Sequence, residues 1–380
     1  MTGNNNVNGP LPDEISTLFA IERLGLFGNG LTSTIPAGIS NLTSVLVLDF
    51  ENNFMVGNVI PEDVLELSTL EALFFSRNTF TGTIPQDINR LSALEQFWVA
   101  NNDVQGTIPT TLGAISNLQT IIANTNRLGG SIPSEFGALD LTNLQLYENR
   151  LDGQIPSELY DATNLNVLRL DFNFLDGTID PAIGSLTNLE DLRLSNNILN
   201  GAVPDSIAAL TNLRFLTVGS NFLSGSIPNV FADYVQLDSA DFSRASFSGN
   251  IPSTIFVSTV RLVYLNNNIM TGPIPASYSS APLLRDLFLN NNRLTGTVPL
   301  ISPGQLTQLN EFTLQANNLT GSMPQSVCLL RLNAFLDDLF SDCGGDNPEI
   351  ECDFPVCCNR CFESPSRRRL EYEFLIPPVR

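Results

Sequence analysis

Apolar residues recur along this chain in a unit of 23 to 25 residues, and its clearest copy lies between Leu189 and Asn212. The segment Leu192-x-Leu194 alternates apolar and polar residues, which predicts a strand with one buried face. Ile207 and Leu210, three residues apart, predict one turn of 3₁₀ or α-helix on the return path. One copy alone cannot bury its apolar side chains, whereas stacked copies can, at about 1.5–3 kcal/mol for each side chain.

Each copy is punctuated by residues with special backbone chemistry. Asn197 stands where the chain turns off the strand, and its amide can satisfy backbone groups of its own turn and the neighbouring one. Gly201 permits a left-handed backbone, and Pro204 ends strand pairing. The same corner recurs and defines fourteen copies, with Asp180 where one proline is missing: Pro12, Pro36, Pro61, Pro85, Pro109, Pro133, Pro156, Asp180, Pro204, Pro228, Pro252, Pro275, Pro299 and Pro324.

The motif Leu-x-x-Leu-x-Leu-x-x-Asn-x-Leu-x-Gly-x-Ile-Pro resembles the plant-type leucine-rich repeat of receptor-kinase ectodomains, receptor-like proteins and polygalacturonase-inhibitor-like proteins. Its asparagine column holds in thirteen of fourteen copies, with Ala245 as the exception, and Ser33 replaces one corner glycine. The resemblance covers residues 1–327. It implies an α/β solenoid, a leucine-rich-repeat superhelix of about fourteen 24-residue coils with a concave parallel β-sheet.

The two ends of the chain differ from the repeats. Met1 falls at a mid-strand position, so we expect a missing N-terminal cap and a signal peptide upstream of residues 1–327. Residues 328–361 read as a disulfide-rich C-terminal cap, and residues 362–380 as a disordered tail. A thiolate zinc site at Cys357-Cys358-x-x-Cys361 is the alternative, and the pairing is left open among the six cysteines: Cys328, Cys343, Cys352, Cys357, Cys358 and Cys361.

Composition restricts the possible functions. The 380-residue chain has a net charge of −21, which argues against nucleic acid and anionic membrane surfaces as partners. It contains no histidine, and all eighteen basic residues are arginine, so mechanisms that need histidine or lysine are excluded. Carboxylate chemistry is all that remains for catalysis. We therefore predict that the protein is not an enzyme, and we predict no cofactor and no metal site.

The position between the paired leucines of each copy faces outward from the predicted sheet. Phe74, Trp98 and Ile122 are consecutive in this column and predict an apolar patch, while Arg169 and Arg193 follow one strand apart. We interpret this as a groove with an aromatic ledge and an arginine clamp for a carboxylate or sulfate. Paired arginines on the inner sheet of plant peptide receptors are similar in placement. The predicted ligand-binding set is Phe74, Arg77, Trp98, Ile122, Tyr147, Glu148, Arg169, Asp171, Phe172 and Arg193.

An interpretation without a ligand also stays open for these side chains. Exposed aromatic residues are good strand formers, and the arginines can pair with neighbouring acidic residues along the sheet without binding anything.

A second, weaker apolar cluster is predicted at Leu262, Tyr264 and Phe288.

The resemblance implies a non-enzymatic, extracellular or cell-surface recognition protein. It would bind a peptide or protein on the concave face, in a receptor-like or inhibitor-like role in signalling or defence. Cell-wall polysaccharide is a further partner to consider, and any membrane attachment would depend on segments outside this chain. The alternative is a structural or adhesive wall or matrix glycoprotein. Two sequons, at Asn41 and Asn318, are candidate glycosylation sites for either role.

Overall fold

The computed structural model describes residues 7–332, 336–344, 350 and 360–363. The chain forms two compact units, Met1–Phe222 and Leu223–Arg380. In each unit short strands, one per repeat, pair in parallel and in register. The first unit contributes the strands Arg23–Gly25, Val47–Asp49, Ala72–Phe74, Gln96–Trp98, Thr120–Ile122, Asn143–Gln145, Val167–Arg169, Asp191–Arg193 and Phe215–Thr217. The second contributes Ser239–Asp241, Leu262–Tyr264, Asp286–Phe288, Glu311–Thr313, Asp338–Gly344 and Arg360–Glu363.

A second set of short strands follows each turn off the main sheet. In the first unit these strands are Asn8–Gly9, Gly30–Leu31, Gln105–Thr107, Arg127–Gly130, Arg150–Gln154, Phe174–Asp176 and Asn200–Gly201. The strand Phe222–Ser226 begins at the unit boundary, and the second unit continues with Ser246–Ser248, Thr271–Gly272, Arg293–Gly296 and Asn318–Leu319.

Short helices carry the chain back to the next strand, as the spacing of Ile207 and Leu210 predicts. The 3₁₀ helices are Asp13–Thr17, Ala37–Asn41, Ile88–Arg90, Thr110–Ala114, Ser134–Ala138, Ser157–Asp161, Pro181–Ser185, Asp205–Ala209, Phe231–Asp233, Ser253–Ile255 and Ala276–Ser280. The α-helices are Glu62–Leu65 and Gln325–Leu332. In the described residues no helix has the length and apolar character needed to cross a bilayer.

The repeated leucines form the core of each unit. Leu168, Leu192 and Leu216 pair in register and are buried, while the residues between the paired leucines stay half-exposed. Strand, turn and return helix thus alternate with the predicted period, and the α/β solenoid fold is confirmed.

The asparagine column links each coil to the one before it. In one representative coil, the Asn173 side chain accepts a hydrogen bond from the Leu151 amide at 3.0 Å and donates to the carbonyls of Leu146 and Leu170 at 3.0 and 3.1 Å. The bonds satisfy backbone groups that the turn leaves without partners, as the sequence predicts. The same acceptor bond is made by Asn53, Asn78, Asn102, Asn126, Asn149, Asn197, Asn221, Asn268, Asn292 and Asn317.

The corner also follows the sequence. Gly201 has a φ of +75°, and a Cβ there would lie 2.9 Å from a methyl group of Thr178, so glycine is required twice over. Asp180, which replaces the missing proline, accepts a hydrogen bond from the Ala182 amide at 2.7 Å and caps the next helix. Aspartate in place of proline therefore gives up the fixed φ of proline and gains a hydrogen bond that caps the helix.

The cap region contains strands that the sequence analysis did not identify. Asp338–Gly344 pairs with Glu311–Thr313 in the repeat register. Arg360–Glu363 then pairs with Asp338–Gly344 on its other edge. The signal was present in the Leu336-x-x-Leu339 spacing. Cys328 is buried and disulfide-bonded.

Other predictions about the two ends concern residues outside the described ranges. Those residues are the ones around Met1, then Cys352, Cys357, Cys358 and most of the tail. Only the backbone of Cys343 and Cys361 is described. The complete disulfide framework, the zinc alternative and the missing N-terminal cap therefore stay predictions.

We predict that Asn173→Ala destabilises the fold by about 1–3 kcal/mol, because the buried Leu151 amide loses its acceptor. Urea unfolding followed by circular dichroism measures the change. The matched control is Asn212→Ala, which removes an exposed asparagine bonded to the Thr187 carbonyl and should change the stability by less than about 0.5 kcal/mol. Equal losses in the two variants would contradict the role of the buried asparagine column.

Candidate functional site

The first face consists of the outward-pointing residues of the first unit between Phe74 and Arg193. Register places Phe74, Trp98 and Ile122 side by side on three successive strands, and all three side chains are half-exposed. The rings of Phe74 and Trp98 lie 4.4 Å apart at an interplanar angle of 53°. The predicted apolar patch is therefore present as a contiguous ledge. Its presence says nothing yet about a ligand.

Arg169 and Arg193 lie opposite each other on neighbouring strands, as predicted. The Arg169 guanidinium carbon lies 4.1 Å from the centroid of the Tyr147 ring, so this aromatic residue holds the guanidinium in a fixed orientation. Arg193 differs, because its Nε donates to Asp191 at 2.7 Å and its guanidinium carbon lies 4.9 Å from the Phe215 ring. The two arginines are therefore not equivalent.

Acidic residues partly neutralise the arginines, which is the alternative interpretation that the sequence left open. Asp191 is hydrogen-bonded to Arg193, while Asp171 Oδ1 is 3.9 Å from Arg169 Nε, beyond hydrogen-bond distance. Glu148 accepts a hydrogen bond from the Thr125 hydroxyl at 2.8 Å. Acidic neighbours therefore neutralise the charge of Arg193 more strongly than that of Arg169.

Burial separates the predicted site residues into two groups. Phe172 is 51% exposed, and Arg77 and Glu148 are exposed as well. These three occupy the same position of the repeat, where φ lies between +53° and +57° and the backbone turns away from the sheet. Asp171 is only 7% exposed, so it lies beneath the surface, with its Oδ1 3.9 Å from Arg169 Nε. The structure therefore brings nine of the ten predicted residues to the surface and places Asp171 beneath it.

Buried polar atoms without partners concentrate on this face. In the described part of the chain, such atoms include Trp98 Nε1, Arg169 Nε, Asp171 Oδ1 and the hydroxyls of Ser76 and Ser195. Native interiors leave few such groups, and each one calls for an explanation. These atoms are shielded from solvent, so the fold leaves their hydrogen-bonding capacity unused beneath this face.

Sequence reasoning missed an aromatic residue next to this face. Phe215 lies on the strand next to Arg193 and stacks against it, and Arg214 also approaches its ring at 5.5 Å. The signal was available in the column that precedes the first paired leucine, where Phe215 stands before Leu216. The exposed Phe174 and Phe222 belong to the flank of the coils and not to this face.

Five carboxyl groups on the sheet faces of the two units have raised pKa values. Burial is the largest cause at Asp49, Glu51, Asp171, Asp241 and Asp286. At Glu51 the charge of Asp49 adds to the increase, whereas at Asp171 the charges of Arg169 and Arg193 oppose it. Each of these groups is more easily protonated in the folded protein than in the unfolded chain.

We also compared the chain with known proteins. A family model described as "Leucine rich repeat" matches residues 163–223. No curated protein sequence matches the chain. Among solved structures, the chain is similar to the ectodomain of the Arabidopsis thaliana membrane receptor kinase GASSHO1/SCHENGEN3, in complex with CASPARIAN STRIP INTEGRITY FACTOR 2, at 29% identity and a TM-score of 0.78. That likeness covers 87% of this chain and 42% of the receptor chain.

Two further structures extend the comparison. A TDR receptor is 28% identical with a TM-score of 0.73, and the likeness covers 86% of this chain and 65% of the receptor chain. The plant peptide hormone receptor RGFR1, in complex with RGF2, is 25% identical with a TM-score of 0.67, over 90% and 66% of the two chains. This chain spans less than two thirds of the first two ectodomains. The chain shares the leucine-rich-repeat motif and the solenoid fold of these plant receptors.

We predict that the folded protein is more stable at about pH 5 than at about pH 7. A raised carboxyl pKa means that the folded state binds more protons than the unfolded state, so the free energy of unfolding falls as pH rises through the folded pKa values. Urea unfolding at constant ionic strength measures this. Asp171→Asn should weaken the dependence, and a free energy of unfolding that rises between the two pH values would contradict it.

Proposed function

We propose that the chain is a non-enzymatic, extracellular recognition protein that binds a peptide or protein segment across the first face. The observation that carries this proposal is the combination of a half-exposed aromatic ledge and two arginines held against neighbouring rings on one continuous sheet surface. Protein interfaces favour this composition, with aromatic and arginine anchors surrounded by polar groups. The role is receptor-like or inhibitor-like.

The aromatic ledge supplies an apolar anchor. Phe74, Trp98 and Ile122 lie on neighbouring strands spaced by about 4.8 Å, so a side chain of the ligand can contact two of them at once. Because Phe74 and Trp98 already pack against each other, their rotamers are restricted before binding. A surface that is ordered in advance loses little conformational entropy when the ligand binds.

The arginine end supplies recognition of an anion, such as a carboxylate or sulfate. Arg169 is the stronger candidate of the two, because Tyr147 orients its guanidinium and its neighbour Asp171 lies 3.9 Å away, beyond hydrogen-bond distance. Arg193 is already hydrogen-bonded to Asp191 and would have to exchange that bond. We therefore assign the main charge-assisted contact to Arg169 and a supporting contact to Arg193.

The comparisons support the proposal of a peptide or protein partner. Similar structures include a receptor ectodomain in complex with CASPARIAN STRIP INTEGRITY FACTOR 2 and a peptide hormone receptor in complex with RGF2. A peptide or protein partner and an extracellular or cell-surface setting follow by analogy. Fold likeness alone does not assign a function, so the residues of the first face must be tested directly.

We predict that peptides selected against the protein from a library of linear peptides lose at least about tenfold in affinity on Trp98→Ala, which deletes a central aromatic anchor. Arg169→Gln should reduce the affinity of peptides with an acidic or free carboxyl group more than Arg193→Gln does. Calorimetry measures the affinity, and quenching of Trp98, the only tryptophan, provides an independent signal.

The control variant is Arg127→Gln, which removes an exposed arginine paired with Asp103 on the flank of the same unit. It should leave the affinity unchanged. Peptide binding that survives both Trp98→Ala and Arg169→Gln would place the site elsewhere. Binding to wall polysaccharide that survives the same two changes would favour the structural or adhesive alternative.

A further inference from the structure

The first face holds its apolar anchor and its anion-binding anchor at a defined separation. Register places Trp98, Ile122, Gln145 and Arg169 in one column on four successive strands. Neighbouring strands are spaced by about 4.8 Å, so the positions of Trp98 and Arg169 lie about 14 Å apart along the sheet. A ligand that uses both anchors at once must match this distance.

The surface between the two anchors is polar but uncharged. The main-sheet strands from Ala72–Phe74 to Asn143–Gln145 contain no acidic or basic residue, and Arg169 on the next strand is the first charged one. Asn143 and Gln145 are half-exposed, and Gln145 Nε2 donates to Asn143 Oδ1 at 3.1 Å. Such carboxamides can bond to the backbone of a peptide, but they carry no charge that would hold an anion short of Arg169.

The other end of the aromatic ledge is acidic. Asp49 lies opposite Phe74 on the neighbouring strand, and Glu51 follows two residues later. Burial raises the pKa of Glu51, the charge of Asp49 adds to the increase, and Arg77 reduces it without reversing it. A further anion is therefore disfavoured at this end, so the anionic group of a ligand must lie on the Arg169 side of its apolar side chain.

We propose that the first face selects peptides by the separation between an apolar side chain and an anionic one, and that this separation is four residues. An extended peptide advances by about 3.3–3.4 Å per residue, so four residues span about 13.5 Å, close to the distance between the anchors. Side chains alternate between the two sides of an extended chain, so residues i and i+4 point toward the sheet together, whereas i+3 and i+5 point away. This inference rests on the proposed function and adds a length requirement to it.

Other separations use the ledge less completely. A separation of two residues spans about 6.7 Å and does not reach Trp98 from Arg169. A separation of six residues spans about 20 Å and reaches Phe74, at the edge of the ledge next to Asp49. Only a separation of four places the apolar side chain over Trp98, between Phe74 and Ile122.

Arg193 provides a second, longer setting of the same distance. It lies one strand beyond Arg169, about 19 Å from the position of Trp98, which six extended residues span. Its Nε already donates to Asp191 at 2.7 Å, so in the native protein Arg169 sets the length.

The test uses calorimetry of the full chain with synthetic peptides of equal length and composition. Each peptide has blocked ends, one leucine and one glutamate in a background of alternating serine and threonine, and the series varies their separation from one to seven residues. Both orders of the two residues are included, because either chain direction satisfies the distance. We expect the affinity in the better-binding order to be highest at four residues, at least about tenfold above that at one or seven, because only this peptide occupies both anchors at once. Equal affinity at all separations would overturn the proposal.

A double variant changes the length that is measured instead of deleting the site. Arg169→Gln combined with Asp191→Asn removes the nearer arginine and releases Arg193 from its partner. The optimum should move from four residues to six, a change that damage to the fold cannot mimic. The control is Arg127→Gln, on the flank of the same unit, which should leave the optimum at four. An optimum that stays at four in the double variant would contradict the inference.

Failure of this inference is distinguishable from failure of the proposed function. If Trp98→Ala and Arg169→Gln weaken every peptide of the series by the same factor, the first face binds peptides without measuring them, and only the inference fails. The same holds if library-selected peptides bind at the first face but the four-residue peptide does not. If neither variant changes the binding of any peptide, the proposed function fails and this inference fails with it.

Discussion

The structure depends on one repeated interaction, the hydrogen bonds by which a buried asparagine side chain joins its own turn to the coil before it. Asn173 satisfies the Leu151 amide and two carbonyls at once, and no apolar side chain of similar size could do so. The turn off the strand buries backbone groups away from the main sheet. Without the asparagine those groups would carry a desolvation penalty in every coil, so the repeat would lose the regular turn that sets its register.

Because the backbone is regular, the outward side chains are not needed to hold the fold together. The paired leucines, or other apolar residues in their place, bury one face of the strands, while the residue between them is half-exposed in most coils and varies from coil to coil. This is how glycine, aspartate, tryptophan and arginine occupy equivalent positions in the first unit without disturbing the strand register. Binding chemistry can therefore be placed on a scaffold that the leucines and asparagines hold constant.

The outward positions of the two units carry different chemistry. The first face combines aromatic residues with arginines, and the Tyr147 ring centroid lies 4.1 Å from the guanidinium carbon of Arg169. The sheet of the second unit combines aromatic residues with carboxylates, and burial together with the charges of Asp286, Asp241 and Glu311 raises the pKa of Tyr264. A charge pairing made in a partly desolvated site is stronger than one made in bulk water, which favours selective recognition.

The sequence by itself determined the repeat length, the strand and turn positions, the buried leucines and the outward column that contains Trp98 and Arg169. These follow from local periodicity and from residues whose backbone chemistry is specific, such as Asn197 and Gly201. Only the tertiary structure decided how neighbouring charges pair. Asp191 accepts a hydrogen bond from Arg193, and Glu148 accepts one from the Thr125 hydroxyl. Asp171 is buried close to Arg169. Those choices depend on rotamers and on burial between coils, where differences of a few tenths of an ångström decide which partner is reached. No pattern along the chain encodes such distances.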